Sequence, residues 1–474
     1  MKIVFIEPQA PGIHVYSRMP LPRLGTIILA TILKQAGYDA SVQIEMLGPL
    51  DCQEIEKADI IGISITTSTA PRGYEIANKW RIKGKVIVMG GPHATYMPEE
   101  TLQHADFVLR GEADETILSL IRAIEKKYRF ENILGLSYWS DVDVIHNKRV
   151  PYCKDLNRLP APDFNLISNW QKQMIVTPIM TSRGCPYDCE FCSVTDMFGR
   201  NYRYKNPENV LLELKRHNKL IKENNIKSAD NCVFFYDDNF TINKKRTKML
   251  LKMMIEKGYA PRWTAQASVD VAKDDELLEL MAKSGCYLLY IGLESINPQT
   301  LKAYNKKQNV EDIEKAIKKI HSHGIRIHGM FVLGADTDTQ ETIDKTVEFA
   351  QKNNLESVQF LILTPLPGSR VFVELRKSNR IKNYDWSLYD AHHAVFEPKN
   401  FSRYKLQTSV MKAMLKFYGL TYLIRRSFAI FFRDFFKDAK GSILEISLKW
   451  YGRKNVKNWL KAKKNWIEHL KGAS

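Results

Sequence analysis

Two rhythms of apolar and polar positions follow one another along the 474-residue chain. Near the N-terminus, short apolar runs at Ile3–Ile6, Ile60–Ile65 and Lys85–Met89 are dense in Ile and Val. Runs of that length and composition predict buried parallel strands. Between them, Leu24–Gln35, closed by Gly37, and Tyr74–Ile82 repeat their apolar residues at helical spacing. Residues 1–125 therefore read as a doubly wound, Rossmann-like α/β domain. From 126 to 174 the pattern thins. G-L-S-Y-W-S-D-V-D-V-I-H predicts a hairpin, and L-P-A-P-D-F a proline-stiffened link.

A second series begins at Ile175. Strands are predicted at Ile175–Met180, Cys232–Tyr236, Trp263–Ala267, Tyr287–Leu293, Ile327–Leu333 and Gln359–Thr364. Helical segments such as Lys244–Lys257, Asp274–Lys283 and Val310–His323 separate them. Six successive βα units predict a partial (β/α)6 barrel of TIM type over 175–375, with functional groups at the strands' C-terminal ends. Residues 376–474 read as a helical, basic region.

Composition adds a compartment and a charge asymmetry. Hydrophobic residues make up 44% of the chain, enough for packed interiors. The opening M-K-I-V-F-I-E reads as a first strand, not a signal peptide, and no run of about 20 apolar residues predicts a membrane span. Cys52, Cys153, Cys232 and Cys286 are scattered singly, unlike a disulfide framework, so a cytoplasmic, reducing compartment is expected. Of the net charge of +17, the stretch from Arg403 onward carries +13. The partner that explains the basic tail therefore need not be the substrate of the body.

The other three cysteines crowd into T-S-R-G-C-P-Y-D-C-E-F-C as Cys185, Cys189 and Cys192, directly after the first barrel strand. Zinc needs a fourth ligand, such as distant Cys232 or Cys286. A redox C-x2-C leaves the third thiol without a purpose. A [4Fe–4S] cubane on three thiolates leaves one iron open, which gives the odd number a reason.

With Phe191 immediately before the last cysteine, this C-x3-C-x2-C stretch resembles the signature of the radical S-adenosylmethionine superfamily. The resemblance implies a cluster on Cys185, Cys189 and Cys192 whose open iron binds S-adenosylmethionine. It also implies reductive cleavage to a 5′-deoxyadenosyl radical that removes a substrate hydrogen atom. Phe191, Gln266 and Ser268 in A-Q-A-S-V-D, and Glu294 in I-G-L-E-S, are then expected around S-adenosylmethionine. The adjacent carboxylates of F-Y-D-D-N-F are expected to cap the helix that follows. No catalytic acid, base or radical-quenching residue stands out.

The N-terminal domain resembles the cobalamin-binding domain fused ahead of many such enzymes. The shared stretches are P-L-P-R-L-G, the I-S-I-T-T turn, G-G-P-H-A-T and F-V-L-R-G-E-A-D-E-T. That implies cobalamin contacts from Ser64, Thr66, Gly90 and Gly91. D-x-H-x-x-G, which supplies a cobalt-ligating histidine in classical corrinoid proteins, is absent, and His93 reads as a turn histidine rather than an axial ligand.

The implied function is cobalamin-dependent methylation of an unactivated carbon in a lipid, hopanoid or tetrapyrrole-like metabolite. The implied electron donor is a reductase, flavodoxin or ferredoxin. Ring formation, coupling or rearrangement without methyl transfer is the alternative reading. A non-catalytic iron–sulfur protein is a further one. A tRNA methylthiotransferase would need three further cluster cysteines, and only Cys52 and Cys153 precede the triplet.

In the tail, Phe428, Phe431, Phe432, Phe435 and Phe436 form a helical stripe, with Arg426, Arg433, Lys437 and Lys440 on another face. Val456, Trp459, Leu460, Trp466, Ile467 and Leu470 interleave with seven basic residues from Arg453 to Lys471. Such helices suit peripheral contact with an anionic membrane surface. Packing on the barrel is the second reading, and nucleic acid ranks last.

Overall fold

The computed structural model describes residues 1–12, 21–126, 128–168, 176–223, 232–434 and 439–472. The first sheet contains β1 (Lys2–Glu7), β2 (Asp39–Ile44), β3 (Ile60–Ser64), β4 (Val86–Gly90), β5 (Phe107–Leu109), β6 (Leu136–Trp139) and β7 (Val144–His146). Their order is β2-β1-β3-β4-β5-β6-β7. The first five strands run parallel, and the hairpin β6–β7 adds two antiparallel strands at the β5 edge. Strand β2 escapes the apolar pattern because Gln43 sits inside it. That side chain is buried, donating to the Asp51 carbonyl and accepting from the Asp51 amide.

The second sheet is six-stranded and wholly parallel. It contains β8 (Val176–Ile179), β11 (Cys232–Phe235), β12 (Trp263–Ala267), β13 (Cys286–Glu294), β14 (Arg326–Leu333) and β15 (Ser357–Ile362). Its order is sequential from β8 to β15, as the expected partial barrel requires. Strand parity divides it. Val233, Phe235, Ala265, Leu289, Ile327, Val358 and Phe360 are almost wholly excluded from water. Their neighbours Phe234, Gln266, Tyr290, Met330 and Leu361 are only half-buried. Rings on β11 and β13 meet across the smaller side chains of β12, with Phe234 and Tyr290 5.7 Å apart and Tyr290 4.8 Å from His328 on β14. The half-buried set therefore lines the concave side, the lumen.

Between β8 and β11, the short strands β9 (Ser182–Arg183) and β10 (Arg203–Tyr204) pair antiparallel. They pinch off the loop that holds the three cysteines.

Helices Arg403–Phe417, Leu420–Asp434, Ala439–Ala462 and Lys464–Gly472 follow the barrel. Leu423, Val456, Trp459 and Leu470 are buried, and Trp466 donates to Gln407. For this set the packing reading holds. Phe428 is exposed, and the side chains of Phe431, Phe432, Phe435 and Phe436 lie outside those described.

Candidate functional site

The cysteine loop is built from its flanks inward. Asp237, just past β11, accepts from the Thr181 amide (2.7 Å) and the Ser182 amide (2.9 Å), fixing the chain as it enters the loop. Arg246 donates to the Thr181 hydroxyl at 2.9 Å and completes the anchor. The helix Lys244–Glu256 is capped by Asn243, so the expected capping role for the F-Y-D-D-N-F carboxylates is corrected. Asp237 holds the loop because two unpaired amides there need an acceptor more than the exposed helix end does.

Cys185, Cys189 and Cys192 are partly exposed, and Cys192 donates its amide to the Cys189 carbonyl. Burial pushes the Cys185 thiol up to about 11 and the Cys192 thiol to about 12, and raises Cys189 as well. The protein alone thus keeps these groups as thiols. A cationic iron cluster supplies the charge that thiolates need, so the donor set fits it. Phe191 packs edge-on against Tyr304 with centroids 5.1 Å apart, closing the loop from below.

Glu294 ends β13 at a register break, with φ of 60° in the left-handed region, and is buried. A carboxylate residue held there is strained, and such strain concentrates at functional sites. Its Oε1 lies 2.8 Å from Lys306 Nζ. Burial works against the Lys306 ammonium, but the Glu294 carboxylate and, when ionised, Cys189 and Cys185 outweigh it and raise its pKa. A Cβ on Gly292 would meet Glu294 Oε1 at 2.4 Å and Lys306 Nζ at 3.2 Å, so a side chain there would push the pair from this geometry.

The remaining expected residues separate. Gln266 reaches the lumen, while Ser268 is buried and its hydroxyl lies 3.4 Å from the Tyr187 hydroxyl. Ser268 also lines a cavity of about 490 Å³ on the outer flank of the cysteine loop, which Gln266 does not.

One residue was missed. Asp238 is exposed to water, yet the protein crowded around its carboxyl and the neighbouring Asp237 raise its pKa to about 7. The paired carboxylates were visible in the sequence. What separates their roles is which one finds amides, and only the fold decides that.

The C-terminal edge of the first sheet meets this end of the barrel. Strand order reverses between β1 and β3, the crevice where ligands bind in doubly wound sheets. Arg23 spans it, with Nε 3.0 Å from Glu7 at the end of β1 and a guanidinium nitrogen 3.2 Å from the Ser64 carbonyl at the end of β3. Thr66 starts the turn after β3, and Gly90 and Gly91 end β4. Gly91 has φ of 93°, and a Cβ there would lie 2.6 Å from the Ile65 carbonyl oxygen. A cavity of about 790 Å³ opens beside β1 and β2, between Gln9, Glu45 and Arg72, and Ser64, Thr66, Gly90 and Gly91 are not among the residues that line it. The small residues that end β3 and β4, not this cavity, are the ones whose chemistry fits a cofactor such as cobalamin. His93 is fully buried against Trp386, with Nε2 3.4 Å from Glu100, which keeps it a turn histidine.

The two domains are locked together. Arg183, one residue before Gly184 of the cysteine loop, pairs with Asp114 at 2.5 Å; Arg203 on β10 pairs with Glu112 at 2.6 Å. All four side chains are nearly excluded from water. Tyr96 donates to the Ser193 carbonyl at 3.2 Å, beside the last cysteine. Burial pushes the phenol of barrel residue Tyr236 to about 12, and Arg23 and Glu7 of the first domain act on it across the interface.

Comparison with known proteins matches the two domains separately. Residues 179–350 match the radical SAM superfamily, and residues 13–121 the B12 binding domain. An uncharacterized methyltransferase of Pyrococcus horikoshii is 31% identical over 84% of this chain and 88% of its own length. Bacteriochlorophyllide d C-12(1)-methyltransferase of Chlorobaculum tepidum is 29% identical over 86% of this chain and 84% of its own. Among solved structures, the cobalamin-dependent S-adenosylmethionine radical enzyme OxsB, with aqua-cobalamin bound, superposes with a TM-score of 0.70 over 99% of this chain and 80% of its own. At 16% identity that likeness shows the fold. The two domains bring a [4Fe–4S] cluster, S-adenosylmethionine and cobalamin as cofactors. On these matches, the chain belongs to the radical S-adenosylmethionine superfamily, as an enzyme that carries a B12-binding domain ahead of its barrel.

Proposed function

We propose that the protein transfers a methyl group to an unactivated carbon of a hydrophobic metabolite held in the barrel lumen. When bound, the cluster with S-adenosylmethionine supplies a carbon radical able to remove a hydrogen atom, and cobalamin supplies a methyl carrier. The residues of the chain position and shield. Asp237 and Arg246 fix the entrance of the cysteine loop. The Glu294–Lys306 pair presents a carboxylate beside it. Asp238, exposed to water beside this anchor, offers a second acidic group to a cationic ligand.

The observation that supports a hydrophobic substrate is the lumen itself. Phe234, Tyr290, Met330 and Leu361 are half-buried there, apolar surface that a small domain would otherwise cover. The bacteriochlorophyllide relative acts, by its name, on a tetrapyrrole, which is consistent with such a lining.

Reconstitution with iron, sulfide and cobalamin under strict reduction tests the reading. Wild type forms deoxyadenosine, and Cys189→Ala forms none above background. Organic extracts of expressing cells then contain a product one methylene heavier that is missing with the variant. Absence of deoxyadenosine from the reduced, cluster-loaded wild type would sink the proposal. Deoxyadenosine with a rearranged, unmethylated product would refute methyl transfer alone.

A further inference from the structure

The chemistry in the barrel leaves the tail unused, and its two faces differ. In the helix Ala439–Ala462, Lys449, Gly452, Val456 and Trp459 fall within one arc of about 80°. That arc faces the protein. Lys449 donates to the Leu355 and Glu356 carbonyls, a Cβ on Gly452 would strike the Tyr418 ring, and Val456 and Trp459 are buried. Ile443, Trp450, Lys454, Lys457 and Lys461 fall within another arc, about 60° wide. All five are exposed, and no acidic residue shares their arc.

The helix Leu420–Asp434, packed against it, carries an exposed apolar row of its own. Leu420, Ile424 and Phe428 recur every fourth residue, and all three are exposed, Phe428 by 60%, with Arg425 exposed beside Ile424. Among the described residues, six of the eighteen exposed large apolar side chains fall between Leu420 and Tyr451. That stretch is a small fraction of the chain, so scattered surface exposure does not account for it.

We propose that this outer face lies on an anionic lipid bilayer surface. Ile443, Trp450, Leu420, Ile424 and Phe428 enter the interface, while Lys454, Lys457 and Lys461 sit level with anionic headgroups. No helix of the described residues is long and apolar enough to cross a membrane, so the contact is interfacial. Nucleic acid would use the lysines and leave the aliphatic side chains in water. A second copy of the chain would set one basic arc against another. Neither the cluster nor cobalamin is needed for this contact.

The full-length protein is sedimented with phosphatidylcholine vesicles, with and without phosphatidylglycerol. Wild type binds the phosphatidylglycerol vesicles, and K454E/K457E/K461E loses at least about tenfold in apparent affinity. The double variant I443S/W450S keeps salt-sensitive binding at low ionic strength but loses it at high salt, where screening leaves only the apolar contribution. Reversal of two exposed lysines on the barrel, K345E/K352E, has no effect. Equal wild-type binding to both vesicle types, or undiminished binding by the triple variant, overturns the proposal. So does retention by RNA with none by vesicles.

Discussion

Asp237 and Asp238 are neighbours in sequence and opposite in duty. The first accepts two amides and anchors a loop, whereas the second is exposed and resists ionisation. This difference has a measurable sign. The folded pKa of Asp238, about 7, lies above its ordinary value of 3.8. Between those values the folded chain holds a proton that the unfolded chain has released, so this group costs stability as pH rises through that window. Asp238→Asn is expected to raise the thermal midpoint by ~2 °C at about pH 8 and to leave it unchanged near pH 4. Equal shifts at both values would show that the charge is not responsible. The three cysteines and Phe191 needed no structure to be found. Lys306 did, because a lysine among N-K-K-Q looks like any solvated charge until the fold brings it against Glu294.

At the scale of elements, strand ends carry the site. The β4 turn depends on Gly91, whose φ and close approach to Ile65 exclude a side chain. Gly91→Ala is expected to cost ~1–3 kcal/mol and to lower cobalamin retention after desalting, while iron content stays at the wild-type level. Parallel loss of iron would mean general misfolding instead. Long apolar strands were legible because parallel sheets bury both faces. Strand β2 was not, since its buried Gln43 is satisfied only by distant Asp51. The β9–β10 clamp was equally hidden, because two-residue strands have no period to read.

For the whole molecule, the interface between the sheets decides how the parts cooperate. Asp114 faces Arg183 with little water access, so Asp114→Asn leaves a buried guanidinium short of charge, at ~3–5 kcal/mol. The expected result is deoxyadenosine formed with less methylated product per turnover, measured by chromatography of both. An unchanged ratio would detach the interface from coupling. The order of the domains could be read from the sequence. Which residues join them could not, since Glu112 and Asp114 read as part of a motif within one domain.

That same junction bears on how the protein melts. Tyr96 reaches across it to the Ser193 carbonyl and packs its ring where a Cβ on Gly368 would lie. Joined this closely, and with buried ion pairs beside the contact, the two halves are expected to unfold as one cooperative unit, in a single thermal transition seen alike by tryptophan fluorescence and by circular dichroism. Two separated transitions would show that they melt independently.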